Sequence, residues 1–93
     1  MALFVVEYIY AEGTAAGRDE LRPNHRAWLR ELYDAGIVRT SGPFPSGSGA
    51  LIVVEAESAD AAAELLTQDP FGKAGFVADA RINEWNCVFE WRS

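Results

Sequence analysis

Residues 2–11 read ALFVVEYIYA, and their reading decides the fold. β-branched and aromatic residues dominate the stretch, which favours a strand. With a period of two, Phe4, Val6, Tyr8 and Tyr10 project to one face, and Leu3, Val5 and Ile9 to the other. A strand apolar on both faces is covered on both faces. In a chain of 93 residues, helices of the same subunit can cover one side. A second subunit is the simplest cover for the other.

Outward from this strand, residues 12–21, EGTAAGRDEL, are expected as a loop. A helix then opens at Pro23, because proline suits a first turn where its missing N–H is not needed. His25, Trp28, Leu29 and Leu32 share one face of that helix, and Gly36 ends it. Residues 37–40 begin a second strand, which Ser41-Gly42-Pro43-Phe44 breaks, and residues 45–49, PSGSG, form a turn. Residues 50–56, ALIVVEA, read as a buried central strand. Ser58 is a candidate N-cap for a second helix to about Thr67, with Ala59, Ala62, Ala63 and Leu66 on its apolar face. After an irregular segment over 68–75, the chain is extended from 76 to 91. There Trp85, Cys87, Phe89 and Trp91 alternate with polar residues.

The length fits one domain over residues 1–93, and 49% hydrophobic residues are enough for a core. A formal net charge of −6 and a pI near 4.6 repel phosphate, so nucleic acid is not an expected partner. Glu7 interrupts the apolar N-terminal run, which is too short for a membrane span and lacks a basic flank. A cytoplasmic protein is expected. Cys87 is the sole cysteine, so no internal disulfide can form, and a buried inert thiol is the expected role.

The order strand, helix, strand, strand, helix, strand is the split β-α-β-β-α-β pattern of the α+β ferredoxin-like fold. Its sheet is antiparallel, with both helices on one face. Two such sheets pressed together by their bare faces make a dimeric α/β barrel, so a homodimer is expected.

The chain resembles the YciI, or YCII-related, family over nearly its whole length. The resemblance rests on the apolar first strand, R-x-x-H over residues 22–25, L-x-x-L-x-x-x-G over 29–36 and S-G-P over 41–43. G-S-G over 47–49 and D-P-F over 69–71 complete it. The family is similar in fold to muconolactone isomerase, and one relative removes chloride from a chlorinated hydroxyhydroquinone. The resemblance implies a dimer and a site built around a histidine and an aspartate. The family usually carries D-P-Y where this chain has D-P-F, so any hydrogen bond from a phenol at Phe71 is lost here.

His25, the only histidine, is the candidate general base. A first-turn position, near the positive end of the helix dipole, favours a neutral imidazole that can accept a proton. The alternative is a histidine that merely bonds a nearby carbonyl. A carboxylate would fix its tautomer, and Asp34 and Asp69 are the candidates. Asp34 follows His25 by nine positions, which at about 100° per residue turns it to roughly the opposite face. Asp69 is favoured, and its alternative role is a turn cap for Phe71 or Gly72. Gly42 and Ser48 are candidates to hold an oxygen where charge develops, with Pro43 beside them as a substrate-binding candidate, against the alternative of plain turn chemistry. Arg22 could pair with an acidic ligand or with Asp69, the alternative being a solvated arginine. Tyr8, Tyr10, Phe44, Phe71, Trp85 and Trp91 could line a pocket for a flat small-molecule ligand, or serve as core and interface.

These residues fit a cofactor-independent lyase or isomerase in which a His/Asp pair moves a proton on a cyclic or aromatic-derived substrate. No metal or nucleotide site is visible in the sequence. A non-catalytic ligand-binding or accessory module with the same dimeric fold is the alternative reading.

Overall fold

A computed structural model describes residues 1–90. Trp91, grouped above with Trp85, Cys87 and Phe89, lies outside the described residues. The elements run β1 (Ala2–Tyr10), α1 (Ala15–Asp34), β2 (Val38–Pro43), β3 (Gly49–Ala56), α2 (Ala59–Leu66), α3 (Pro70–Lys73) and β4 (Val77–Trp85). The sheet order is β2-β3-β1-β4, and every neighbouring pair is antiparallel. The expected α+β ferredoxin-like order is therefore present. The stretch that opens the chain is an interior strand, paired on both edges.

Phe4, Val6 and Tyr8 of β1 pack with Val38, Ala50, Ile52, Val54 and Ala56 beneath Ala62 and Leu66 of α2, while Trp28, Leu29 and Leu32 of α1 lie against them. Both helices thus cover one face of the sheet. The other face carries half-buried Leu3, Val5 and Ile9, with Leu51 37% and Trp85 42% exposed.

α1 starts earlier than the sequence signals say. It takes in residues 15–21, read above as loop, and places Pro23 inside the helix. The missing N–H and the ring clash of an interior proline cost about 3 kcal/mol. Tertiary contacts hold the early turns in place. Gly17 lies so close under Phe76 that an added Cβ would come 2.6 Å from Phe76 Cζ, and the Arg18 guanidinium sits 4.1 Å above the Tyr10 ring. At the other end, Gly36 has φ +79°, its N–H reaches the Tyr33 carbonyl, and the Ile37 N–H reaches the Leu32 carbonyl. This is a Schellman ending.

β2 does not break at Ser41. It runs on through Gly42 to Pro43, where Pro43 pairs with Ala50. An edge strand tolerates proline because one row of its backbone groups has no partner strand to serve. β4 stops at Trp85 instead of continuing to 91, since its register partner there is Leu3 and β1 begins at Ala2. Residues 86–90 leave the ladder, and Glu90 meets Arg39 of β2 at 3.6 Å. They therefore cross the uncovered face from one edge of the sheet to the other. Cys87 is half-buried rather than buried. In α2 the covered stripe is Ala62 and Leu66 flanked by Ala61 and Leu65, while Ala59 and Ala63 are exposed. The Ser58 hydroxyl accepts from the Ala61 N–H at 3.0 Å, capping that helix.

Candidate active site

Asp69 is the centre of the arrangement. It precedes Pro70, the first residue of α3, with extended backbone at φ −63° and ψ 126°. Pro70 suits a first helical position, and Asp69 caps the turn by accepting the Phe71 N–H through Oδ1 at 2.9 Å. The same Oδ1 lies 2.7 Å from Nδ1 of His25. The capping role and the histidine contact, weighed as alternatives from the sequence, coexist on one oxygen. Oδ2 accepts the Tyr8 hydroxyl at 2.8 Å. Asp69 is 0% exposed and both of its oxygens are satisfied.

Tyr8 satisfies the second oxygen of that buried side chain. Burial and the adjacent Asp69 charge push the phenol well above its ordinary range, so it stays protonated and donates. Sequence reasoning groups Tyr8 with the ring-bearing residues and gives its hydroxyl no partner. The signal was a hydroxyl on the most buried face of an interior strand, which must find an acceptor.

His25 lies in the middle of α1 and is 7% exposed. The helix-dipole argument for its neutral form falls with the early start of the helix, because the dipole acts only over the first and last turns. The ring is instead oriented by its contacts. It stacks on Phe71 at 4.0 Å and 5°, with Trp28 at 6.4 Å. A carboxylate has no proton to give, so Nδ1 donates to Asp69, and in the neutral ring Nε2 carries the lone pair. Nε2 has no hydrogen-bond partner among the described residues, yet no buried side-chain nitrogen or oxygen there lacks one. Nε2 therefore keeps an open surface. The histidine lines a hollow of about 1500 Å³.

The other candidates divide. Gly42 and Pro43 line the hollow from β2, and Phe71 reaches it while packed on the imidazole. Arg22 also lines it, but its ion pair is with Asp19 at 2.7 Å, and Asp69 is fully engaged elsewhere. The Ser48 hydroxyl bonds that of Ser46 at 2.8 Å in an exposed turn, and Gly47 rather than Ser48 borders the hollow. Gly49 has a packing reason to be glycine, because a Cβ would fall 1.9 Å from the Tyr8 carbonyl oxygen. Asp34 is exposed and held by Arg30 at 3.1 Å, away from the histidine, as its position on the helix implies. Sequence reasoning gave no weight to Arg18, Arg26, Arg30 and Arg39, which also line the hollow. Among the described residues there is no cluster of three or more His, Cys, Asp or Glu that could hold a metal, and no helix long and apolar enough to cross a membrane.

Comparison with known proteins agrees with this architecture. The YCII-related domain family matches residues 2–86. Protein YciI of Escherichia coli O6:H1 is 30% identical over 94 residues, covering 87% of this chain and 96% of the relative. Protein YciI of Shigella flexneri matches to the same extent. Among solved structures, 5-chloro-2-hydroxyhydroquinone dehydrochlorinase (TftG) from Burkholderia phenoliruptrix AC1100, in complex with 2,5-dihydroxybenzoquinone, superposes with a TM-score of 0.79. It is 27% identical over 90% of this chain and 93% of that one. The match spans every element from β1 through β4, His25 and Asp69 included, so this chain belongs to the YCII-related family.

Proposed function

We propose that this protein is a cofactor-independent enzyme acting on a small cyclic or aromatic-derived molecule, with His25 as the proton-transfer group and Asp69 as its positioning residue. The observation that carries this reading is the 2.7 Å contact between Nδ1 and a fully buried carboxylate, with Nε2 left open to the hollow. A base must be held in one tautomer and still be reachable, and this geometry meets both needs. In an elimination, Nε2 takes a proton and the leaving group departs with its bonding pair. In an isomerisation, the same proton returns to a different atom. Gly42 and Pro43 border the space a substrate would occupy, and Phe71 fixes the plane of the imidazole. TftG, bound to 2,5-dihydroxybenzoquinone, shares the fold, which favours a flat oxygenated ring as the substrate class.

A homodimer belongs to the same proposal. Leu3, Val5, Leu51 and Trp85 leave one face of the sheet without a helix layer, and a second copy would cover it.

The test is chloride release from 5-chloro-2-hydroxyhydroquinone, together with titration of 2,5-dihydroxybenzoquinone, by the unmodified chain and by His25→Ala. Turnover that disappears in a variant with an unchanged circular dichroism spectrum supports the proposal. A parent chain that binds without turnover, and a variant that binds equally well, would make this a ligand-binding module instead.

A further inference from the structure

The chain carries a net charge of −6, yet the charged lining of the hollow, apart from the histidine, is Arg18, Arg22, Arg26, Arg30, Arg39 and a single acid, Glu90. Five of the eight basic residues of the sequence are thus gathered at one site. Four of them recur at every fourth position along α1, so they form a slowly winding stripe on the helix that carries His25. Arg22 is three residues before His25 and Arg18 seven, which puts both on the histidine's side of the helix. Arg18 is fixed: its guanidinium lies over Tyr10 at 4.1 Å and its Nε donates to Thr14 Oγ1 at 3.1 Å. Its two terminal nitrogens have no partner among the described residues. Tyr10 in turn meets Phe71 edge-on at 5.9 Å, and Phe71 stacks on His25. One continuous path of rings therefore leads from an under-used guanidinium to the imidazole. Burial raises the Tyr10 phenol, while Arg18 and Arg22 pull it back, so both positive charges are felt at that ring.

We propose, resting on the reading of His25 given above, that the site takes a flat organic anion. Arg18 and Arg22 hold its delocalised oxygen charge, and its reacting C–H or O–H faces Nε2 of His25. A planar guanidinium matches a carboxylate or an ionised vinylogous acid in charge and in paired donors. Arg30 and Arg39 are offset by Asp34, Glu55 and Glu90, but Arg18 has no acidic partner among the described residues and Asp19 takes only Nη1 of Arg22, so this end of the hollow favours an anion.

Titration calorimetry on the full chain tests this with two pairs of probes. 2,5-Dihydroxybenzoquinone, an anion at pH 7, is set against its neutral 2,5-dimethoxy analogue, and benzoate is set against benzamide. The first anion alone binding identifies an ionised enol as the preferred charge, and benzoate alone binding identifies a carboxylate. The expected result is that at least one anion binds more tightly than its neutral partner, more weakly as salt rises. Arg22→Gln and Arg18→Gln should each weaken that anion about tenfold, while Arg81→Gln, outside the hollow, leaves it unchanged. Equal affinity for the anion and its neutral partner, no binding of either anion, or indifference to both substitutions overturns the proposal. His25→Ala separates the two readings. Anion binding by an unmodified chain that shows no turnover, retained in His25→Ala, leaves the arginine seat standing and sinks the proton-transfer role. Turnover with no charge preference does the reverse.

Discussion

Asp69 receives three hydrogen bonds on two oxygens, and that count decides what substitutions there do. In Asp69→Asn the amide oxygen can keep the Phe71 and His25 N–H groups. The amide nitrogen can donate to Tyr8, whose hydroxyl rotates to accept. That variant is expected to fold with a loss of about 1–2 kcal/mol while turnover drops sharply, because the negative charge that would stabilise a protonated imidazole is gone. Asp69→Ala leaves three donors without their partner and is expected to lose roughly 3–5 kcal/mol, read as the urea midpoint against the parent chain. Tyr8 adds a pH signature. Its folded-state affinity for the proton lies above that of an unfolded tyrosine, near 10, so its contribution is intact below pH 10. As pH climbs past 10, the unfolded chain ionises this phenol while the native state resists. Stability then falls by about 1.4 kcal/mol per pH unit for each tyrosine so held. Tyr8→Phe should show a shallower alkaline decline in melting temperature than the parent chain, together with a loss of about 1–3 kcal/mol at neutral pH from the unpaired Asp69 Oδ2. An unchanged alkaline slope would place the ionising tyrosine elsewhere.

At the scale of elements, Pro23 and Gly49 make opposite predictions from the same kind of reading. Pro23 is exposed inside α1, so Pro23→Ala removes no packing and restores a backbone N–H to the helix. It should raise stability by about 1–3 kcal/mol in thermal unfolding. Gly49→Ala drives a Cβ against the backbone carbonyl of Tyr8, where no side chain can swing away. It should cost at least about 2 kcal/mol and disturb the Tyr8–Asp69 bond as well. These two residues also show what the sequence could and could not disclose. The strands, the Gly36 ending and the Ser58 cap follow from local pattern and local chemistry, so they could be read directly. The first two turns of α1 could not, because Gly13, Gly17 and Pro23 are local breakers, and the compensation comes from Phe76 and Tyr10, distant along the chain. The end of β4 is likewise set by where β1 begins. In the site, helix geometry set Asp34 aside, and the expected topology, which folds the segment after α2 back over the sheet, favoured Asp69. Tyr8, and the ring of arginines, needed the sheet and helix to be assembled before their neighbours were known.

For the whole molecule, the open face of the sheet bears on the site as well as on assembly. The hollow that holds His25 extends around the edge strand β2 to Leu3, Leu51, Trp85 and Phe89, residues of the uncovered side and of the segment that crosses it. A second copy pressed on that face would bury Leu51 and Trp85 and would also wall the hollow. Association driven by such a surface is non-directional and little affected by salt. Light scattering on the parent chain should therefore give close to twice the 10.2 kDa of one chain, at low and at moderate ionic strength alike. Leu51→Glu is the informative change. Leu51 is already 37% exposed in the single chain, so an acid there costs the subunit little, whereas two of them brought together across a dimer are desolvated and repel. This variant should run as a monomer with an unaltered circular dichroism spectrum. If the partner completes the hollow, the monomer should also hold 2,5-dihydroxybenzoquinone less tightly, although His25, Asp69 and every arginine of α1 are untouched. A monomer of unchanged affinity would show that one chain builds the whole site, and a Leu51→Glu chain that still dimerises would move the interface off this face.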